Sequence, residues 1–141
     1  MGGLTTDQAL AIVGFARQAA RALGAKPLGY AVVDTGGHPL ALARDEDAGF
    51  LRATIAANKA WGCVALGMSS GQLSEAIKGW ESWFVGIQGA AGGRLVPSLG
   101  GIFVVDAGGS RVGAVGISGE SSARDLEIAR AGILGAGLAS E

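Results

Sequence analysis

Val32-Val33-Asp34-Thr35-Gly36-Gly37 and Val104-Val105-Asp106-Ala107-Gly108-Gly109 are one motif written twice, Val-Val-Asp-x-Gly-Gly. In each copy two β-branched residues run into an aspartate that can accept hydrogen bonds from a turn backbone, and the paired glycines supply positive φ. Each copy therefore reads as the turn of a β-hairpin. Around the first, the run Gly29-Tyr30-Ala31 leads in and Leu40-Ala41-Leu42-Ala43-Arg44 leads out; around the second, strands Ile102–Val105 and Arg111–Ser118 are expected. The whole motif is accounted for as scaffold, and its four glycines as turn residues.

Outward from the hairpins the spacing changes to that of helices. Thr5-Thr6-Asp7-Gln8, with Gln8 three after Thr5, precedes apolar positions Ala9, Ile12, Val13, Ala16, Ala20 and Leu23, which predicts a helix over 5–23 stopped by Gly24 and Pro27. The Ala-rich stretch 50–67 predicts a second, with Trp61-Gly62 as a point where it could break. Ser69-Ser70-Gly71 caps a third, on which Leu73, Ile77, Trp80, Phe84 and Ile87 form one stripe before glycines 86, 89, 92 and 93 end it. Ser121-Ser122 with Asp125 resembles a capping box ahead of the last helix, which carries Leu126, Ile128, Ala129, Ile133, Leu134 and Leu138. The order helix, hairpin, two helices, hairpin, helix is not a βαβ alternation. It predicts an α+β fold, an antiparallel sheet of about five strands with helices packed on its faces, in one domain spanning 1–141.

Composition narrows the function classes. Apolar residues are 49% of the 141 and charged residues only 16%, against about 25% in ordinary soluble domains. A surface so poor in charge implies apolar patches and hence a homo-oligomer. The eleven basic residues are scattered and the net charge is −1, so nucleic acid is not an expected partner. No apolar run approaches a membrane span and the N-terminus has no leader-like pattern, which predicts a cytoplasmic protein with no membrane partner. A single cysteine, Cys63, excludes an internal disulfide or a multi-thiolate metal site. Gly-x-Ser-x-Gly and Gly-x-x-x-x-Gly-Lys are absent, and Gly113–Gly119 has the wrong spacing for a dinucleotide loop. Its small residues instead allow another backbone, or a flat ligand, to approach closely.

The hairpin Val32–Arg44, Ile55-Ala56 with Lys59-Ala60, the pair Gly100-Gly101, the run Val112–Gly119 and the segment Asp125–Gly132 together resemble the GlcG/HbpS family of haem-binding, "haem-degrading" domains. The resemblance spans about residues 5–135. It implies an α+β domain assembling as a homo-oligomer, a tetramer or larger, that binds a small ligand, with haem as the possible cofactor. Some relatives look instead like components of small-organic-acid pathways, so the resemblance leaves enzyme or binding protein open. Two features depart from the family pattern. Ile102 stands where proline commonly follows the double glycine, and Ser69–Val96, with Trp80, Trp83 and Phe84, matches least.

Several residues are candidates for chemistry. His38, the one histidine, is the expected proton carrier or haem ligand. Lys59, a charge among alanines, must reach solvent or a partner: Asp34, Asp45 or a ligand carboxylate. Arg44 suits a bidentate grip on a carboxylate or propionate. Trp83, off the Leu73–Phe84 stripe, is the aromatic expected to meet a ligand or another subunit. Gly100 and Gly101 are candidate ligand-binding positions, as is Glu120, in a segment whose free N–H groups could hold an anion. Cys63, in Trp-Gly-Cys-Val-Ala-Leu, reads as a small buried hydrophobe. Two functions follow: an oligomeric binder of haem or another flat, carboxylate-bearing molecule, or a cofactor-free isomerase or lyase using Lys59, Arg44 and His38 on a small acid.

Overall fold

A computed structural model describes residues 2–141. In chain order its elements are α1 (Thr6–Leu23), β1 (Gly29–Val33), β2 (Pro39–Arg44), α2 (Leu51–Leu66), α3 (Ser70–Ala76), α4 (Glu81–Ala90), β3 (Gly101–Val105), β4 (Arg111–Ser118), α5 (Ser122–Gly135) and β5 (Ala139–Ser140). The five strands form one antiparallel sheet in the order β2-β1-β4-β3-β5. The expected α+β architecture is the observed one.

The two motif copies fold alike. Asp34 Oδ1 accepts the Gly36 and His38 N–H groups at 2.9 and 3.0 Å, and Asp106 Oδ1 accepts those of Gly108 and Ser110 at 3.0 and 2.9 Å. Both hairpins also bulge just before the turn, at Val32/Val33 and Val104/Val105. Only the second glycine of each pair needs the left-handed region, with φ +80° at Gly37 and +83° at Gly109. Because β1 and β3 both run antiparallel to β4, the two turns lie at one end of the sheet. Gly29, Gly101 and Ser118 lie at the other.

Both sheet faces are covered, which is why β1, β3 and most of β4 are buried throughout rather than alternating. On one face α1 and α5 pack Ile12, Ala16, Ile128 and Ile133 onto Tyr30, Val32, Val104, Val115 and Ile117; each large aliphatic side chain so buried contributes about 1.5–3 kcal/mol. On the other face α2 lies so close that its backbone touches the sheet. A Cβ on Gly116 would collide with the Ala56 carbonyl, one on Gly29 with the Arg52 carbonyl, and one on Gly101 would stand 2.6 Å from the Lys59 carbonyl oxygen. Within Val112–Gly119 it is Gly116 that seats the helix backbone, while Gly113 and Gly119 lie against the backbone carbonyls of Val33 and Pro27.

Helix ends largely follow the sequence. Thr5 and Gln8 form a reciprocal capping box and Gly24 closes α1 at φ +62°; Ser69 and Gln72 do the same for α3. Helix α2 is unbroken at Trp61-Gly62. One expectation is corrected and another is extended. The third predicted helix is two, because the chain turns through Gly79 (φ +76°) after Ala76, which dissolves the Leu73–Ile87 stripe. No residue of α4 is buried. At α5 the cap is Ser121, whose Oγ accepts the Arg124 N–H; Asp125 accepts the Glu120 N–H with Oδ1, as a residue at the helix start was expected to, while Oδ2 turns inward to Lys59.

Candidate functional site

At the glycine end of the sheet, β3 begins between α3 and α5. Gly100 adopts φ +121°, a conformation open to glycine, and a Cβ there would meet the Ile117 carbonyl oxygen at 2.7 Å and Lys59 Nζ at 2.9 Å. The next residue, Gly101, sits over α2, and its N–H donates to Ser70 Oγ at 2.8 Å. Ser70 thereby occupies the strand edge that β5 leaves uncovered. Between α3 and α5 the surface forms a groove of about 680 Å³, lined in part by the backbone of Gly100 and Gly101, within the size range of small-ligand pockets. Leu99, Ile102 and Leu126 supply its apolar walls, and Gln72, Arg130 and Glu141 part of its polar rim.

Lys59 lies directly beneath this floor. Only 3% of its side chain is exposed, and Nζ donates to the carbonyls of Leu99 and Ile117, both at 2.9 Å, and to Asp125 Oδ2 at 3.2 Å. Asp125 Oδ1 in turn accepts the Glu120 N–H at 3.0 Å. Burial lowers the lysine's pKa, opposed by the Asp125 charge, and burial raises that of Asp125, opposed by Lys59. The partner is none of those expected: Asp34 and Asp45 are elsewhere, and a ligand carboxylate would find all three donors taken. Lys59 holds the groove floor from behind.

The remaining candidates do not gather there. His38 is on the β1–β2 turn at the far end of the sheet, its side chain 80% exposed and Nδ1 3.4 Å from Asp34 Oδ1. From there to Gly101 is the length of a five-residue strand, roughly 16 Å, and in addition at least two strand spacings, roughly 10 Å, across the sheet. Arg44 lies at the groove end but on β2, three strand spacings or roughly 14 Å away across the sheet. Its Nη1 donates to the carbonyls of Asp45, Glu46 and Ala48, closing the acidic loop. Glu120 accepts the Lys26 and Ser121 N–H groups, which hold its carboxylate below the usual range; it ties the α1–β1 connection to the start of α5. Cys63 is buried, donating to the Lys59 carbonyl, and burial pushes its thiol up to about 12, the inert thiol expected. Trp83 lines a shallow hollow with Met68, Ala76 and Trp80, and Ala76 also lines the groove.

Of the groove's lining, only Gly100 and Gly101 were picked out as site residues from sequence, and the most consequential residue missed is Arg130. Arg130 enters no ion pair or side-chain hydrogen bond among the described residues, whereas the rim acids are taken, Glu75 by Lys78 and Glu141 by Arg111. Its signal was the spacing Leu126–Arg130, one turn of α5, which puts an apolar and a cationic side chain on the same wall.

Fold and site together define a small antiparallel α+β domain with a ligand-sized groove at the glycine end of its sheet. Residues 4–134 match the family described as haem degrading protein HbpS-like. The chain belongs to that family. A Citrobacter freundii protein, an uncharacterized 15.0 kDa protein in the dhaT-dhaS intergenic region, is 32% identical over 120 residues, covering 81% of this chain and 83% of that one. Among solved structures, the PduOC:heme complex superposes with a TM-score of 0.84 at 26% identity, covering 96% of both chains. Klebsiella pneumoniae ORFY superposes at 0.85 and 25% identity, covering 95% of this chain and 90% of that one.

Proposed function

We propose that this protein binds a flat, carboxylate-bearing small molecule in the Gly100-Gly101 groove, haem being the one its family points to. The observation that carries the reading is the groove itself: apolar walls around a side-chain-free floor, with Arg130 as the one rim charge lacking a partner. A planar ring would lie on the glycines between Leu99, Ile102 and Leu126, and the guanidinium would take the carboxylate. Membership of a haem degrading family and the likeness to PduOC, solved with haem, support the choice of ligand. The isomerase or lyase alternative has less support, since His38 and Lys59 lie at opposite ends of the sheet and cannot share a substrate within one chain.

Titration with haemin, followed by Soret absorbance and tryptophan fluorescence, tests the reading. Saturable binding near one equivalent is expected, and Arg130→Ala should weaken it about tenfold, the effect of about 1.4 kcal/mol from one charged hydrogen bond. No spectral change at stoichiometric haemin removes it. We also read the protein as a homo-oligomer, supported by exposed Phe50, Leu51, Trp80, Val85 and Leu134.

A further inference from the structure

The groove has apolar walls for a macrocycle but, among the described residues, no side chain of the kind that ligates haem iron. Protein ligands that hold haem iron are imidazole, thiolate, thioether or phenolate, and the chain has one His, one Cys, two Met and one Tyr. Among the described residues none of them lines the groove. His38 is at the other end of the sheet, Cys63 is buried in α2, and the buried Tyr30 hydroxyl donates to Asp45 at 2.9 Å. Met68 belongs to the neighbouring hollow, and Met1 lies outside the described residues. The lysine nearest the floor has every donor engaged.

Most oxygen donors of the rim are engaged within the protein. Ser69 Oγ accepts the Gln72 N–H at 3.1 Å and Gln72 Oε1 accepts the Ser69 N–H at 2.8 Å. Both carboxylate oxygens of Glu75 receive Lys78 Nζ, and Glu141 is held by Arg111. What the groove offers is dispersion, shape and one guanidinium, and these address a macrocycle's face and its acid groups without regard to the metal.

We propose that the groove holds a tetrapyrrole by its face and carboxylate and leaves the central metal without a protein ligand, so that metal-free porphyrin binds as well as haem. This rests on the groove reading above and adds to it the ligand's class: planar tetrapyrrole acids irrespective of metal. The adjoining aromatics Trp80 and Trp83, reached across Ala76, extend the same preference for a ring face.

The test is a parallel titration of the intact protein with haemin and with metal-free protoporphyrin IX, read by tryptophan quenching, repeated in His38→Ala and Arg130→Ala. The expected result is that the two ligands bind within threefold of one another, that His38→Ala changes neither, and that Arg130→Ala weakens both about tenfold. Bound haemin should lack the spectrum of a six-coordinate histidine-ligated iron. Haemin held tenfold or more above protoporphyrin overturns the metal-indifferent inference while leaving a binding protein in place; loss in His38→Ala would then show that the histidine reaches the iron from a second copy. Failure of both ligands to bind overturns the inference and the groove reading together.

Discussion

The Lys59–Asp125 pair is the residue on which the candidate site most depends. Two charges with 3% and 4% of their side chains exposed are costly to bury, and removing one partner strands the other. Lys59→Met should therefore destabilise the protein by about 3–5 kcal/mol in urea denaturation, while Lys59→Met with Asp125→Leu should recover most of the loss. Equal stability of the two variants would show that the pair does not stand as a unit. Asp34 supplies a pH signature. The His38 backbone N–H first, then that of Gly36, hold its carboxyl below 3.8. A folded value below the unfolded one adds stability at higher pH that disappears as pH falls through the folded value. Asp34→Asn retains an acceptor oxygen but no carboxyl titration, so the stability gap between wild type and variant should close as pH falls below about 4. A gap that does not change with pH would contradict this.

Among the elements, α2 and α4 are opposites. Helix α2 is sunk against glycines of three strands, so a single methyl there acts on backbone rather than on a yielding side chain. Gly116→Ala should cost at least about 1–3 kcal/mol by overpacking, whereas Gly14→Ala on α1, where an added Cβ meets nothing within 4 Å, should stabilise by about 0.5–1 kcal/mol through helix propensity. Thermal melts of the two variants check the contrast. Helix α4, with no buried residue, owes its placement to its flanks: Gln88 exchanges two hydrogen bonds with the Leu95 backbone at 2.8 and 2.9 Å, and Arg94 stacks on Trp61 at 3.7 Å. Hydrogen exchange in α4 should accordingly be faster than in α2, a difference read by mass spectrometry.

For the whole molecule, low charge content and exposed apolar side chains meet in one expectation. Phe50 is 82% exposed, Leu134 74% and Val85 72%, on three different elements or their flanks. Apolar surface in several places favours an assembly with more than one kind of contact. Sedimentation velocity should give a species of tetramer size or larger, and a monodisperse monomer at micromolar concentration would sink it. Among the described residues no helix is long and apolar enough to cross a membrane.

Much of the architecture was legible in the chain because its determinants are local. A cap three residues before its partner, an aspartate two residues before a turn N–H and a switch of apolar period are interactions between near neighbours, so the hairpins, α1, α2 and the antiparallel α+β class followed from order and spacing. The broken stripe after Ala76 was not legible, since helical spacing persists in sequence across a turn that Gly79 makes in space. The site was legible only in part. Gly100 and Gly101 stood out, but His38, Arg44 and Lys59, drawn together from their chemistry, are separated by a sheet whose register no local pattern states. Lys59 found Asp125, 66 positions away, because burial leaves a charge no alternative to the nearest opposite charge, and only the packing of α2 on β4, which itself leads into α5, decides which one that is.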